Sequence, residues 1–185
     1  MASGESSRRK ASQRKWGEAF IEEARQNRRA FQDFNERKTK KVLSDLDPEG
    51  RAVFLALPAL IHQNAPGYPG HIAGKEVPSG IFHYHPSAES RRALKELFPH
   101  SAPPPRMTGR PTVESLALMG SIGSIAQTSK SDFDFWVCVD EEALGTKRRE
   151  LLAERLHALE GWAHSVAGLI VNFFLTDIAA ARRDD

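Results

Sequence analysis

Cysteine is almost absent from this sequence, which has one, Cys138, among its 185 residues. A single cysteine excludes an intrachain disulfide framework and a cysteine-rich zinc site. It also favours a reducing compartment, so we expect the protein in the cytoplasm. Cys138 has no evident histidine or other base as a partner in the sequence. It is therefore interpreted as a buried structural thiol and not as a nucleophile.

Long apolar runs are missing as well. Crossing a bilayer takes about 18 to 20 consecutive apolar residues, and no segment of the sequence reaches that length. Residues 1–15 carry basic side chains without the apolar stretch of a secretory signal. We therefore expect neither a membrane span nor secretion. Because the strongly apolar segment near residue 175 is followed by no closing element, we also expect the chain to continue into a longer protein.

Charge is distributed unevenly along the chain. Residues 1–47 contain twelve Lys or Arg and eight Asp or Glu, a net charge of +4, and the remaining residues contain fourteen and sixteen, a net charge of −2. In the first region acidic residues interrupt the basic ones, which favours a solvated helix face over a nucleic-acid or membrane-surface patch. Nucleic acid is therefore not an expected partner.

Residue spacing divides the chain into three regions. Residues 1–47 are a polar start, predicted to be disordered to about residue 12, and then a charged amphipathic helical arm. Residues 48–110 hold a helix that begins at Asp47-Pro48, a loop rich in Gly and Pro, a short strand at 81–85 and a second helix. A proline run near 103–105 then separates this region from residues 111–185.

Strands and helices alternate in residues 111–185. We predict strands at 113–119, 133–139 and 169–175 and a helix from 146 to about 165. The last strand is almost continuously apolar, as expected of a strand covered on both faces. This alternation predicts an α/β (α+β) fold, a mixed sheet with flanking helices that follows a helical N-terminal extension.

Two carboxylates, Asp132 and Asp134, stand at the start of the strand at 133–139. Successive side chains of a strand point to opposite faces, so both carboxylates project from one face, together with Trp136. Unpaired they would repel each other, and a divalent cation between them removes that repulsion. Since Mg²⁺ prefers a few carboxylates plus phosphate oxygens, the pair predicts a magnesium-triphosphate site. Trp136 is interpreted as a core aromatic in preference to a surface beneath the nucleotide.

Glycine and serine precede this acidic pair. Gly120-Ser121 closes the strand at 113–119, and a glycine there lets the backbone approach a phosphate while N–H groups and the hydroxyl donate to it. Gly123-Ser124 extends the same cradle at a helix N-terminus. Lys130, just before the pair, is either a phosphate contact or a solvated side chain. The combination of both patterns is more specific than either one alone.

These residues carry a resemblance to a known family. The runs LMGS at 118–121, IAQ at 125–127 and SDFDFWVC at 131–138 resemble the signature of bacterial class I adenylate cyclases. The runs LPALIHQN at 57–64, PG at 69–70 and FFLTD at 173–177 match as well, so the likeness covers most of the chain from about Phe31. Those cyclases are much longer than this chain.

The resemblance implies a fold, an activity and partners. The fold is that of polymerase-beta-like nucleotidyltransferases, with its core in residues 111–185 and incomplete at the C-terminus. The activity is the Mg²⁺-dependent conversion of ATP to 3′,5′-cyclic AMP and pyrophosphate, with Asp132 and Asp134 as metal ligands and Gly120 and Ser121 on the β- and γ-phosphates. A regulatory region or regulatory protein would lie outside this chain.

The sequence departs from the family at one position. A third carboxylate is expected in the strand before Phe173-Phe174, where this chain has Ile170, with Asn172 two residues on. Neither replaces a carboxylate. Asp177, at the far end of the strand, is the fallback third ligand, although a turn or helix cap suits it better. Two alternatives therefore stay open: a nucleotidyltransferase that acts on another acceptor, and a catalytically inert nucleotide-binding module.

Two histidines form the only other candidate pair. His83 and His85 share a face of the predicted strand at 81–85, an arrangement that suits metal ligation. No cysteine or further histidine has matching spacing, so they are interpreted as surface or internally bonded side chains.

Overall fold

The computed structural model describes residues 2–74, 76–104, 107, 109–119 and 132–181, with the backbone alone for 2–19 and 181. In chain order its elements are α1 (Ala2–Asp45), α2 (Pro48–His62), α3 (Ala88–Leu97), β1 (Val113–Leu118), β2 (Phe133–Val139), α4 (Glu141–Leu144), α5 (Thr146–Ala167), β3 (Val171–Asp177) and α6 (Ile178–Ala181). This arrangement confirms a mixed α/β fold with a helical N-terminal part.

A single helix forms the N-terminal arm. α1 runs for 44 residues without interruption, and it includes the residues at which the sequence predicted a disordered start. The segment has no proline and is rich in Ala, Glu, Arg, Lys and Gln, which are good helix formers. Val42 is fully buried in the core, whereas Phe20 and Phe31 are 72% and 66% exposed. Although α1 is long, no helix in the described part of the chain is both long and apolar enough to cross a membrane.

The start of α2 follows directly from the sequence. Asp47 is the N-cap, and its Oδ1 accepts a hydrogen bond of 2.7 Å from the backbone N–H of Gly50. Pro48 lies in the first turn, where a missing N–H costs nothing. The helix continues through Pro58 to His62. Its buried side presents Val53, Leu57 and other apolar residues to the core.

The three strands form one sheet in the order β1-β2-β3 within the described residues. β1 is antiparallel to β2, and β2 is parallel to β3. A parallel pair needs a crossover connection, which α4 and α5 supply. β2 is therefore the central strand, and its first residues lie between the end of β1 and the start of β3.

The two faces of this sheet differ in burial. The inner face of β2 packs under α2 and α5 and consists of Phe133, Phe135, Val137 and Val139, each at most 4% exposed. Phe54 of α2 lies 5.5 Å from Phe133 between ring centroids. On the other face Trp136, Ile170 and Phe174 are 42%, 46% and 48% exposed. The prediction that β3 is covered on both faces is therefore wrong for the described residues, as is the core interpretation of Trp136.

The outer edge of β3 is partly closed by a side chain from α5. Oε1 of Glu160 accepts a 2.7 Å hydrogen bond from the backbone N–H of Phe173, and Oε2 lies 3.1 Å from Nδ1 of His157. Edge strands expose backbone groups that no neighbouring strand satisfies. Glu160 satisfies one of these groups from outside the sheet.

The predicted strand at 81–85 does not form. Ile81 makes one isolated bridge to Val113, and the chain then turns at Phe82 and His83, where His83 has φ of 54°. This left-handed conformation is incompatible with a continuing strand. His83 and His85 therefore do not share a strand face.

A buried arginine connects α5 to the loop after α2. Arg155 is 1% exposed, and its guanidinium donates to backbone carbonyl groups of Leu60, Ile61, Gln63, Gly70 and Pro78. The carbonyl groups of Leu60 and Ile61 belong to the last turn of α2, where a cation is favourable. Burial lowers the pKa of Arg155 to about 10, so the side chain stays protonated at neutral pH.

Candidate functional site

The acidic pair lies at the start of the central strand. Asp132 is exposed and directly precedes β2, and Asp134 is the second residue of β2 and half-buried. Both belong to the more exposed face of the sheet, called the open face below, which also presents Trp136, Ile170 and Phe174. The backbone N–H of Met119, just after β1, donates to the carbonyl oxygen of Asp134 at 2.7 Å. The end of β1 therefore lies directly beside the acidic pair.

The predicted phosphate cradle lies outside the described residues. This applies to Gly120, Ser121, Gly123 and Ser124 and also to Lys130. Their assignment to the nucleotide stays a prediction. The structure adds only that Met119, the residue before Gly120, is next to Asp134.

Asn172 is the direct partner of the acidic pair. The parallel register places Asn172 opposite Asp134, and Nδ2 of Asn172 donates to Oδ1 of Asp134 at 2.8 Å. Sequence reasoning considered Asn172 only as a poor replacement for a carboxylate and missed this contact. The alternation of Phe133 and Phe135 in β2 predicts which residues share a face, but it does not predict which residue of β3 lies opposite Asp134.

Ile170 occupies the position next to Asp132. The backbone N–H of Phe133 donates to the carbonyl oxygen of Ile170 at 2.8 Å, and Phe133 pairs with Val171. Continuing the register by one residue brings Ile170 beside Asp132. The position where the family resemblance implies a third carboxylate is thus adjacent to the pair, and in this chain it is apolar.

Asp177 lies at the other end of β3. It pairs with Val139, five residues from Asn172 and thus about 16 Å further along the strand. Its Oδ2 accepts from the N–H of Ala180 at 3.0 Å, and its Oδ1 from the N–H of Glu141 at 3.3 Å. The structure does not bring Asp177 together with Asp134, and these contacts match the helix-cap interpretation.

The donor atoms at the pair suit a hard cation. Within the described ranges, no three His, Cys, Asp or Glu side chains come together as a metal site. The pair itself offers carboxylate oxygens, and Asn172 already holds one of them. Mg²⁺ is commonly bound by one or two carboxylates while phosphate oxygens and water complete its octahedron. Asp132 and Asp134 therefore offer donor atoms of the kind that Mg²⁺ takes.

A lysine from the N-terminal arm reaches the end of β1. Nζ of Lys38 donates to the carbonyl oxygen of Leu118 at 3.2 Å. Leu118 pairs with Phe135, and the neighbouring residue Met119 bonds to β2. Because these bonds alternate along an antiparallel strand, the carbonyl group of Leu118 faces the outer edge. No sequence pattern predicts this contact, which joins residues 80 positions apart.

The structure also describes Cys138 and His85. Cys138 is a free, buried cysteine near the end of β2, which confirms the structural interpretation. His85 is not part of a metal cluster among the described residues. Burial lowers the pKa of His62, and the charge of His85 lowers it further by a smaller amount.

The fold and the site define a mixed α/β domain with paired carboxylates on the open face of its central strand. Residues 23–185 match the model of the adenylate cyclase NT domain family, and the chain belongs to this family. Adenylate cyclase of Salmonella typhimurium is 35% identical over 145 residues, which cover 77% of this chain and 17% of that protein.

Two further relatives give the same result. Adenylate cyclase of Escherichia coli is 35% identical over 147 residues, with 77% of this chain and 17% of the relative covered. The enzyme of Pasteurella multocida is 34% identical over 146 residues, with 76% and 17% covered. The chain thus spans about a sixth of the length of these curated relatives. No solved structure matches it significantly.

Proposed function

We propose that this protein is a class I adenylate cyclase that converts ATP to 3′,5′-cyclic AMP and pyrophosphate, and that this chain supplies its nucleotide- and metal-binding part. The observation that carries the proposal is the pair Asp132 and Asp134 on an exposed sheet face, beside the end of the strand that leads into Gly120-Ser121. The relatives named adenylate cyclase support the same assignment. The proposed fold is that of polymerase-beta-like nucleotidyltransferases.

Each group has a separate task in this proposal. Asp132 and Asp134 hold magnesium through their carboxylate oxygens, and Gly120 and Ser121, with Gly123, Ser124 and Lys130, bind the phosphates. When bound, magnesium neutralises charge on the α-phosphate and favours ionisation of the attacking 3′-hydroxyl group of the ribose. The side chains themselves contribute positioning and electrostatic stabilisation, which dominate in phosphoryl chemistry. Regulation would come from a region or protein outside this chain.

Trp136 offers a surface for the nucleotide base. It is 42% exposed and lies on the same face as Asp134, two residues further along β2. Side chains spaced by two in a strand are about 7 Å apart, which is within the span of a bound nucleotide. An exposed indole ring stacks well on a base. In this proposal the open face of β2 therefore has a metal-binding end, at Asp134, and an aromatic surface, at Trp136.

The second candidate is a nucleotide-binding module without catalysis. Ile170 favours it, because the position beside Asp132 carries no third carboxylate. A two-carboxylate site can still bind a magnesium nucleotide, since the phosphates supply further ligands. The two candidates therefore share a binding site and differ in turnover.

Labelled ATP distinguishes these functions. The purified full-length protein is incubated with Mg²⁺ and labelled ATP, and the products are separated. Cyclic AMP supports the cyclase, a nucleotidylated acceptor supports transfer to another molecule, and bound but unchanged ATP supports the inert module. Asp132→Asn and Asp134→Asn are expected to weaken Mg²⁺-ATP binding at least about 10-fold. Asp33→Asn, the same change at an exposed site of α1, is the control. Unchanged binding in both site variants would refute the site.

A further inference from the structure

The carboxylate of Asp134 is held by a side chain of the neighbouring strand. Asn172 lies directly opposite in the parallel register, and its Nδ2 is 2.8 Å from Oδ1 of Asp134. Both side chains are half-buried. The contact is part of the sheet itself, because two residues paired in register face the same side. Asn172 therefore restrains Asp134 from a rigid element.

This hydrogen bond makes the two carboxylate oxygens of Asp134 unequal. The last torsion of an aspartate side chain has a broad, roughly two-fold preference and is easily rotated. With Oδ1 accepting from Asn172, that rotation is restricted and Oδ2 is the oxygen left for a cation. Carboxylates that bind metals are commonly held in this way by a neighbouring donor, and loss of the donor weakens metal binding.

The charge of residue 172 matters as much as its donor group. Asp132 and Asp134 together carry two negative charges, which match one divalent cation. An aspartate at 172 would resemble asparagine in shape but would place a third negative charge against Asp134, and like charges so close destabilise the metal-free site. Ile170, beside Asp132, adds no charge. Asparagine thus provides a donor while the metal-free site stays at two charges.

We propose that Asn172 is a positioning residue that orients Asp134 for divalent cation binding. The inference rests on the proposed function, because it assumes a cation at Asp132 and Asp134. It assigns to Asn172 a task that a carboxylate at the same position would not perform, since an ionised carboxylate accepts hydrogen bonds only.

Manganese binding tests this proposal without any measurement of turnover. Mn²⁺ is titrated into the purified protein and the free ion is followed by electron paramagnetic resonance, while thermal unfolding is recorded with chelator and with Mn²⁺. Asn172→Ala is expected to weaken Mn²⁺ binding about 10-fold. Thr176→Ala is the matched control, because Thr176 lies on the same face of β3 opposite Cys138, away from the pair. It should leave the affinity within about twofold.

Thermal unfolding in chelator separates positioning from simple stability. Asn172→Asp removes the donor and places a third negative charge against Asp134, so its unfolding temperature in chelator should fall below that of the wild type. A residue with a structural role only would lower the unfolding temperature without changing Mn²⁺ affinity. Should Asn172→Ala not fold, Asn172→Gln displaces the amide by one methylene and is expected to show part of the same loss.

The outcomes distinguish this inference from the proposed function. If Asp134→Asn abolishes Mn²⁺ binding while Asn172→Ala and Asn172→Gln bind within about twofold of the wild type, Asn172 does not position Asp134 and the metal site stands. If the wild type binds neither Mn²⁺ nor Mg²⁺-ATP, the proposed function fails and this inference fails with it. Weaker binding in the Asn172 variants with an unchanged control supports the inference.

Discussion

Replacing Arg155 should destabilise the protein far more than replacing any exposed arginine. Arg155→Met keeps most of the side-chain volume and removes the guanidinium. The carbonyl groups of Gln63, Leu60 and Gly70, now 2.9, 3.0 and 3.1 Å from the guanidinium nitrogens, lose their donor. The carbonyl groups of Pro78 and Ile61 lose theirs as well.

The size of the effect follows from these contacts. A hydrogen bond to a charged group contributes roughly 1.5–3 kcal/mol, and a buried acceptor without a donor costs about 1–3 kcal/mol. The individual terms do not add, and the methionine variant no longer has to bury a cation, which offsets part of the loss. Removing one partner of a buried ionic network typically costs about 3–5 kcal/mol. We expect a loss of this size, a large fraction of the roughly 5–15 kcal/mol of a typical domain.

Urea unfolding followed by circular dichroism measures the loss. The midpoint should fall, and the unfolding temperature should drop by roughly 10 °C, because 1 kcal/mol corresponds to about 2–4 °C in a domain of this size. Arg155→Lys keeps the charge but has too few donors in the right geometry, so an intermediate loss is expected. Arg149→Met on the same helix removes only a surface pair with Glu141 of 2.7 Å, worth less than about 1 kcal/mol. A loss below about 1 kcal/mol in Arg155→Met would refute the reasoning.

Two further predictions concern the arm and the loop after α2. Lys38→Ala should lower the free energy of unfolding by about 1 kcal/mol, because it removes the donor to the carbonyl group of Leu118. Lys40→Ala, at an exposed position of the same helix, should change this free energy little. Equal effects of the two substitutions in urea unfolding would contradict the prediction. Nδ1 of His62 accepts from the N–H of Ile81 at 2.9 Å, and burial, with a smaller effect from the charge of His85, lowers the pKa of His62. The unfolded chain therefore binds a proton first, so stability is full above about pH 6.5 and falls as the pH drops towards the lowered value. His62→Asn should flatten the fall between pH 7.5 and 5.5, measured by urea unfolding at both values, and a slope like that of the wild type would contradict the assignment.

Local signals in the sequence predicted the elements that hold the site. Asp47 followed by Pro48 predicts the start of α2, because capping and a fixed φ act within one turn. The alternation in β2 predicts which residues share the face of Asp132 and Asp134, because the period of a strand is fixed. Both predictions are confirmed, since neither depends on distant residues.

Contacts between distant residues escaped prediction. Arg155 lies between Glu154 and Leu156 in a charged helix, where a solvated side chain is the usual outcome, and only the folded loop shows that it is buried. Asn172 acquires its partner from the register of two strands joined through α4 and α5. The open face of β3 was missed for a related reason: an apolar run shows which residues prefer burial but not whether a second layer covers them.

The long N-terminal helix is mechanically connected to the chain segment before the predicted phosphate cradle. α1 is held where Val42 enters the core, and Phe20, 22 residues earlier, is exposed, about 33 Å away along the axis at 1.5 Å per residue. Lys38 lies one turn from the fixed end and bonds to Leu118, two residues before Gly120. The part of α1 that contacts the sheet is thus short compared with the exposed part that precedes it. The contact of Lys38 connects this short part to the end of β1.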